Sequence, residues 1–501
     1  MWQRLCELLD AVPNTHVLVV GDFMLDRYVY GDAERISPEA PVPVLKVVRQ
    51  DDALGGAGSV VADVAALGAT PHCLGLVGHD AAADRIRSLL GQIGADVSGL
   101  LAAADRHTTV KTRLIGLAQH RHRQQLIRVD DECRRPIDAA TTTQLLNHLE
   151  NLLDHCRAVC IEDYNKGVVS PEIAHGVIRA ARRRNLPVLV DPASVTDYSR
   201  YAGAMLVTPN RTETEKVTGL SLRSMEAVRE AARRIHSACR TDYVCVTLDA
   251  DGMALIGADG FFEHVPTRAR EVYDVTGAGD EVLAAMAVIM AAGGALREAA
   301  MVANLAGGLE VEKFGCVPIT RDELIGEILL ENHRALGKVR TLDQLLPELA
   351  RRRAARRTVA FTNGCFDLLH AGHVANFAFC KQQADLLVVG LNSDASIRRL
   401  NKGADRPLVP QQDRAAVLAA LADVDYVVIF DEDTPLQLIQ AIGPDVLIKG
   451  RDWEGRTVVG QDLVEARGGR VVLAPLVPGR STTDLVRRIR ASSAGPAPAD
   501  A

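Results

Sequence analysis

Short apolar runs that stop abruptly in polar residues recur along this chain, and they constrain its fold more than any other feature. Val17–Val20 runs into Gly21-Asp22, Ala158–Ile161 into Glu162-Asp-Tyr-Asn-Lys-Gly167, and Pro187–Val190 into Asp191-Pro192. Met205–Thr208 runs into Pro209-Asn-Arg-Thr-Glu213, and Tyr243–Thr247 precedes Asp251-Gly252. Apolar runs without alternation are strands buried on both faces, and the stretches between them leave room for helices. Repeated βα units imply a mainly parallel sheet covered by helices on both faces. Such sheets bind ligands at the carboxyl ends of their strands, which is where these polar residues fall.

A second series begins at Thr358–Phe361 and continues through Leu386–Gly390, Tyr426–Phe430 and Asp445–Ile448. With 501 residues to distribute, the expected division is a first α/β domain over 1–333, a connector over 334–357, a second α/β domain over 358–490, and a disordered low-complexity tail over 491–501. The connector carries Arg351, Arg352, Arg353, Arg356 and Arg357. They read as a solvated helix face, with a phosphate contact as the alternative.

A net charge of −7 and only 4% aromatic residues argue against a nucleic-acid partner. The longest uncharged apolar run, Val282–Leu296, is too short and too rich in Ala and Gly to span a bilayer, so a buried helix is expected and a membrane partner is not. Met1–Asp10 carries charges through its apolar positions, as an amphipathic helix does and a signal peptide does not. The ten cysteines are scattered without a CxxC pair. Cys156 and Cys160, near His155, lie in a strand-like setting and read as buried thiols, which fits a reducing cytoplasm.

The chemistry gathers at Asp274-Val-Thr-Gly-Ala-Gly-Asp280, a strand end, a glycine turn and a helix start. Gly277, Ala278 and Gly279 would let the backbone curl around an anion, with the helix N-terminus aimed at it. Asp280 at the helix mouth could take a proton from a hydroxyl attacking phosphorus. A dinucleotide fingerprint fits less well, because Val282 occupies its third glycine position, and a plain glycine cap is the other alternative. Asp22 and Asp26 suit polyol binding or helix capping. Gly55-Gly56 suits close approach to a ligand or a tight turn. Asn210 and Glu213 suit Mg²⁺, directly or through water, or an ordinary loop cap. Arg35–Val48 alternates and is punctuated by prolines; it could close over a site as a lid or pair with a second copy.

In the second domain His370-Ala-Gly-His373 places two imidazoles on one helix face. Zinc would need further ligands nearby, and none is evident. Two rings at a helix N-terminus can instead donate to a triphosphate and to a pentacoordinate phosphorus. Lys402, Arg406 and Arg414 supply cations, and Ser481-Thr-Thr483 precedes a helix as a phosphate-binding cap would.

Asp274–Asp280, Asn210–Glu213, Gly55-Gly56 and Asp163–Gly167 together resemble the ribokinase-type (PfkB) sugar kinases over about residues 10–320. The resemblance implies a ribokinase-like three-layer α/β domain with a β-lid. It makes Asp280 the catalytic base and Gly277–Gly279 the anion hole. ATP would meet Asn210, Arg211, Thr212 and Glu213, with Mg²⁺ on Asn210 and Glu213. The sugar would meet Asp22, Asp26, Gly55, Gly56 and Lys166. Ile36–Pro43 resembles the heptose-7-phosphate kinases, whose lid also pairs subunits, so a homodimer is expected. Two departures stand out: Ser59 replaces the family's asparagine, and Glu281 replaces its small hydroxyl residue, where it is expected close to the phosphate at a cost in turnover.

The second half resembles the HxGH nucleotidyltransferases, Rossmann-like domains, and among them the adenylyltransferase half of the bifunctional heptose enzymes. There His370 and His373 would be catalytic, and Phe366, Lys402, Arg414, Ser481 and Thr482 would bind ATP. Lys449-Gly-Arg-Asp-Trp453 departs from the family at Arg451, which would crowd the loop or add a phosphate contact. The implied whole is a bifunctional enzyme of ADP-heptose synthesis acting on heptose phosphates and ATP, with a separate phosphatase between its steps. Another sugar or nucleotide base, or a sensor with one inactive half, are the rival readings.

Overall fold

The computed structural model describes residues 2–117, 124–267, 277–313, 315–400 and 406–475. The expected tail over 491–501 lies outside them, as do Asp274–Thr276, Lys402, Ser481 and Thr482. The chain divides into two compact units, residues 1–328 and 329–501.

In the first unit the strands are β1 (His16–Gly21), β2 (Phe23–Ile36), β3 (Pro43–Gly56), β4 (Thr70–Val77), β5 (Asp96–Ala102), β6 (Val110–Gly116), β7 (Gln124–Asp131), β8 (Ala158–Glu162), β9 (Val188–Asp191), β10 (Leu206–Val207), β11 (Tyr243–Thr247), β12 (Met253–Gly257) and β13 (Phe262–Val265). Its helices are α1 (Trp2–Ala11), α2 (Ala57–Ala66), α3 (Ala81–Gln92), α4 (Ala139–Leu153), α5 (Pro171–Arg183), α6 (Arg211–Thr218), α7 (Met225–Cys239), α8 (Ala278–Ala291) and α9 (Leu296–Glu310), and α10 (Arg321–Leu336) runs across the division.

Nine strands form one sheet in the order β13-β12-β11-β10-β9-β8-β1-β4-β5. It is parallel except where β12 and β13 turn back antiparallel at one edge. The apolar runs explain its layers. Leu18, Val20, Val159, Ile161, Val188 and Val190 join one core with side chains of α4, α5 and α7. The intervening Val17, Val19, Cys160 and Leu189 are equally buried, on the face where α2 and α8 pack. Cys156 and Cys160 are buried free thiols, as expected. The run from Val282 becomes the interior of α8, buried from Val282 to Ile289. The proline-punctuated segment forms part of a separate four-stranded sheet, β3-β2-β6-β7.

The second unit adds β14 (Val339–Arg340), β15 (Val359–Gly364), β16 (Leu386–Asn392), β17 (Tyr426–Phe430), β18 (Val446–Gly450) and β19 (Arg470–Ala474), with α11 (Leu342–Ala354), α12 (Ala371–Gln383), α13 (Asp394–Arg399), α14 (Gln411–Ala419), α15 (Leu436–Ile442) and α16 (Gln461–Ala466). The sheet runs β14-β17-β16-β15-β18-β19. On one face Val359, Phe361 and Val388 pack with α11 and α15; on the other, Ala360, Leu387 and Val389 pack with α12 and α14.

Here the structure differs from the sequence reading. Most of the expected connector, 334–357, belongs to this unit. β14 pairs in parallel with β17, Leu345 and Leu349 are core residues, and Arg340 meets Glu348 in a buried ion pair at 2.9 Å. Breaking such a pair from one side strands a buried charge, which makes this stretch integral to the unit. Among the described residues no helix is long and apolar enough to cross a membrane.

Candidate active sites

In the first unit the site forms where β1, β8 and β9 end together. Gly277, in the left-handed region at φ 98°, is the N-cap of α8. A side chain there would strike Glu310, so the turn requires glycine. Ala278, Gly279 and Asp280 form the helix's first turn. Asp280 is buried, and the Tyr164 hydroxyl donates to its Oδ1 at 3.2 Å. Burial pushes its carboxyl up to about 7, against hydrogen bonds from Tyr164 and Ser59 that favour the ionised form. Ser59, the departure from the family pattern, is therefore a partner of the candidate base.

Glu162 closes β8 and Asp191 closes β9. Their carboxyl oxygens and that of Asp280 all lie within 4.8 Å of one another. Burial first, then the neighbouring acids, pushes the Glu162 and Asp191 carboxyls well up. A cluster of oxygen donors that repel one another is one that a hard divalent cation fits. Asn210 and Glu213 stand beside it as a capping box on α6. The Asn210 side chain accepts from the Glu213 N–H at 2.9 Å, and the Glu213 carboxylate from the Asn210 N–H at 3.0 Å. The loop-cap alternative is thus realised, while Glu213 also acts on the charge of Asp191.

Asp22 has a different place from the one expected. Its two oxygens accept the N–H groups of Tyr164, Lys166 and Val168 at 3.0, 3.0 and 3.2 Å. A carboxylate holding three backbone donors pins the 163–168 loop and has little left for a sugar. Asp26, on β2 of the four-stranded sheet, is buried and lies 3.1 Å from Arg113 of β6. A Cβ on Gly55 would sit 2.9 Å from the Asp26 carboxyl carbon, so glycine there admits the acid. Gly56, at φ 57°, starts α2 beside Asp22. Lys166 reaches this region, but its ammonium is paired with Glu132 at 2.5 Å. Arg211 is likewise committed, to Asp249, Asp251 and the Leu222 and Leu248 carbonyls; Thr212 is exposed. Glu281, expected against the phosphate, is instead fully buried, with its Oε2 accepting from the Ile319 N–H at 3.4 Å and a hydrogen bond to Asp63 of α2.

In the second unit His370 is the N-cap of α12 and His373 lies in its first turn. Their rings stack at 3.8 Å. Burial, with His370 beside it, lowers His373 to about 4, so the ring is neutral at pH 7 and has one N–H to offer a ligand. Phe366 holds an uncommon positive φ of 45° and packs edge-on against His373 at 5.3 Å. Lys449, at the end of β18, donates to Asn363 at the end of β15 at 2.5 Å and lies over Trp453. Arg414, expected to meet ATP, has most of its donors engaged within the protein. It is buried, and its guanidinium donates to the Val409, Cys365 and Asn392 carbonyls and to Asp394, four of the five N–H donors it has, which braces the loops under the site. Arg451 is exposed, 3.6 Å from Glu454.

The sequence marked Tyr164, Ser59, Glu162 and Asp191 as strand-end polarity or as a family departure, and gave none of them a role beside Asp280. Three of these sit at strand ends already marked by their polarity. Their convergence on Asp280 depends on sheet order.

Residues 14–322 match the pfkB family of carbohydrate kinases, and residues 361–488 match the cytidylyltransferase-like family. The bifunctional protein HldE of Paramagnetospirillum magneticum is 47% identical over 487 residues, covering 97% of this chain and 98% of that one. The bifunctional protein HldE of Citrifermentans bemidjiense is 43% identical over 483 residues, covering 96% and 98%. Among solved structures, Arabidopsis thaliana ribokinase complexed with ribose and ATP matches with a TM-score of 0.51 at 21% identity, over 63% of this chain and 98% of that one. Escherichia coli phosphofructokinase-2 in complex with potassium gives 0.52 at 19%, over 63% and 98%. At these identities the structural likeness speaks for the fold alone.

Proposed function

The chain belongs to the family of bifunctional HldE proteins, and from that premise we propose how its two sites divide the work. The first unit transfers the γ-phosphoryl group of ATP to the anomeric hydroxyl of D-glycero-β-D-manno-heptose 7-phosphate. The second transfers the adenylyl group of a second ATP to heptose 1-phosphate, releasing pyrophosphate and ADP-heptose. The observation that carries this is the buried Asp280 in the first turn of α8, where an acceptor hydroxyl and a phosphate can meet.

In the first reaction the sugar hydroxyl gives its proton to Asp280 as its oxygen attacks phosphorus. Tyr164 and Ser59 hold the carboxylate in place, and the α8 N-terminus faces the transferred group. Glu162, Asp191, Asn210 and Glu213 are the residues that would hold Mg²⁺, which when bound offsets the charge of the phosphate oxygens. Asp26 takes a sugar hydroxyl. In the second reaction the attacking phosphate oxygen is already ionised, so no base is required. His370 and His373 donate to the phosphoryl oxygens as charge builds.

A second copy of the chain covers the lid. Ile36, Val42, Val47, Val48, Ile127 and Val129 are each more than half exposed on and around this sheet, apolar side chains that a second copy would take out of water. Buried thiols such as Cys156 and Cys160, and the use of ATP, fit a cytoplasmic enzyme.

The test is to incubate the protein with Mg-ATP and heptose 7-phosphate, with and without a phosphatase, and weigh the products. Heptose bisphosphate alone, and ADP-heptose once the phosphatase is added, is the expected pair of results. No phosphorylated product in either tube would overturn the proposal.

A further inference from the structure

One face of the four-stranded sheet carries a row of cations, and one of them, Lys111, is held in no close ion pair among the described residues, although Asp26 and Asp280 act on its charge from farther off. Lys111 on β6 is the lateral neighbour of Asp26 on β2. Arg113 follows two residues on, and Arg128 on β7 lies directly across from it. The Lys111 ammonium sits 4.6 Å from the centre of the Tyr164 ring, whose hydroxyl reaches Asp280. The neighbouring cations are each spoken for: Arg113 by Asp26, Arg128 by Asp130, and Lys166 by Glu132. Lys111 has no such partner among the described residues. Arg113 is itself buried, with its Nη1 3.1 Å from the Asp26 Oδ1. Burial holds the Lys111 ammonium below its usual pKa; Asp26 acts against this, while Lys166, Arg113 and Arg128 add to it. A partly buried cation among like charges is costly unless an anion joins it.

Two anions enter the proposed reaction, the terminal phosphate of ATP and the phosphate the sugar already carries. The first belongs at the N-terminus of α8. Lys111 stands on the sugar side, beside Asp26. We infer that Lys111, backed by Arg113, receives the phosphate ester of the incoming sugar, so that the lid selects phosphorylated over unphosphorylated acceptors. The inference rests on the kinase assignment above and adds the specificity determinant to it.

The experiment uses the full-length chain with Lys111→Met and Lys111→Arg, each checked for an unchanged thermal melt. Kinase kcat/KM is measured for heptose 7-phosphate and for the same heptose without phosphate, with the KM for ATP recorded alongside. Lys111→Met should raise the KM for heptose 7-phosphate roughly 10–100-fold, the worth of a charged hydrogen bond, and leave the KM for ATP and the use of unphosphorylated heptose unchanged. Lys111→Arg should keep most of the preference. An equal loss on both sugars, or a change in the KM for ATP alone, overturns the inference while leaving the kinase assignment intact. A wild-type chain that uses neither sugar sinks the kinase assignment. The inference is then decided by calorimetric titration with heptose 7-phosphate, where an unchanged affinity in Lys111→Met overturns it and a weakened one sustains it.

Discussion

Asp280 carries opposite demands at different pH. A base must be ionised, and burial raises this carboxyl to about 7. Kinase kcat/KM should therefore fall roughly tenfold per pH unit below that value and level off above it. Stability runs the other way. Between about pH 4 and 7 the folded protein keeps a proton on Asp280 that the unfolded chain, with its ordinary carboxyl, has released. The unfolded state then binds fewer protons, so this group's contribution to stability shrinks as pH rises through the window. Asp280→Asn removes the effect: the ligand-free variant should gain stability relative to wild type between pH 5 and 8 in denaturant titrations, while kinase turnover drops roughly 10²–10⁴-fold. A pH-independent difference in stability would mean that the carboxyl titrates normally. Asp22 shows what a sequence conceals. Its placement after a strand was legible, but its three backbone partners lie 142 to 146 residues away. Asp22→Ala should leave three N–H groups without acceptors, those of Lys166 and Val168 buried and that of Tyr164 partly so, and cost about 3 kcal/mol or more in denaturant unfolding of the first unit. An ordinary stability with lost sugar affinity would restore Asp22 to the sugar.

Among the elements, the glycine turn before α8 and the paired histidines opening α12 were readable, because local spacing alone places their side chains. The acid cluster was not. Glu162 and Asp191 meet only because β8 and β9 are neighbours in register, Glu162 opposite Asp191, a fact of sheet order that no local pattern encodes. The same holds for α11, whose amphipathic pattern announces a helix without saying which sheet it covers. The four-stranded sheet was legible only in its proline-punctuated segment, since its strands β6 and β7 come from beyond β5. Its exposed valines carry a prediction at this scale. Val47→Lys together with Val129→Lys should shift the protein from dimer to monomer in light scattering after size exclusion, since charges on an apolar contact oppose its burial. Adenylyl transfer should be untouched. A variant that stays dimeric would place the subunit contact elsewhere.

For the whole molecule the consequence is independence of the two chemistries. The candidate groups of the first site all come from residues 22–280, and those described for the second from residues 363–449, inside separate compact units. His373→Ala should therefore abolish adenylyl transfer by roughly 10²-fold or more, the scale set by losing one preorganised donor to a developing charge, and leave sugar phosphorylation at its wild-type rate. Mixing the two defective chains gives a sharper reading. Asp280→Asn retains the second site and His373→Ala the first, so a mixture supplied with heptose 7-phosphate, Mg-ATP and a phosphatase should form ADP-heptose, whereas neither variant alone should do so at more than a trace. The required phosphatase implies that the sugar leaves the first site before it enters the second, which is why two chains should serve as well as one. A mixture that stays silent while each variant keeps its own partial reaction would show that the intermediate reaches only the second site of the chain that made it.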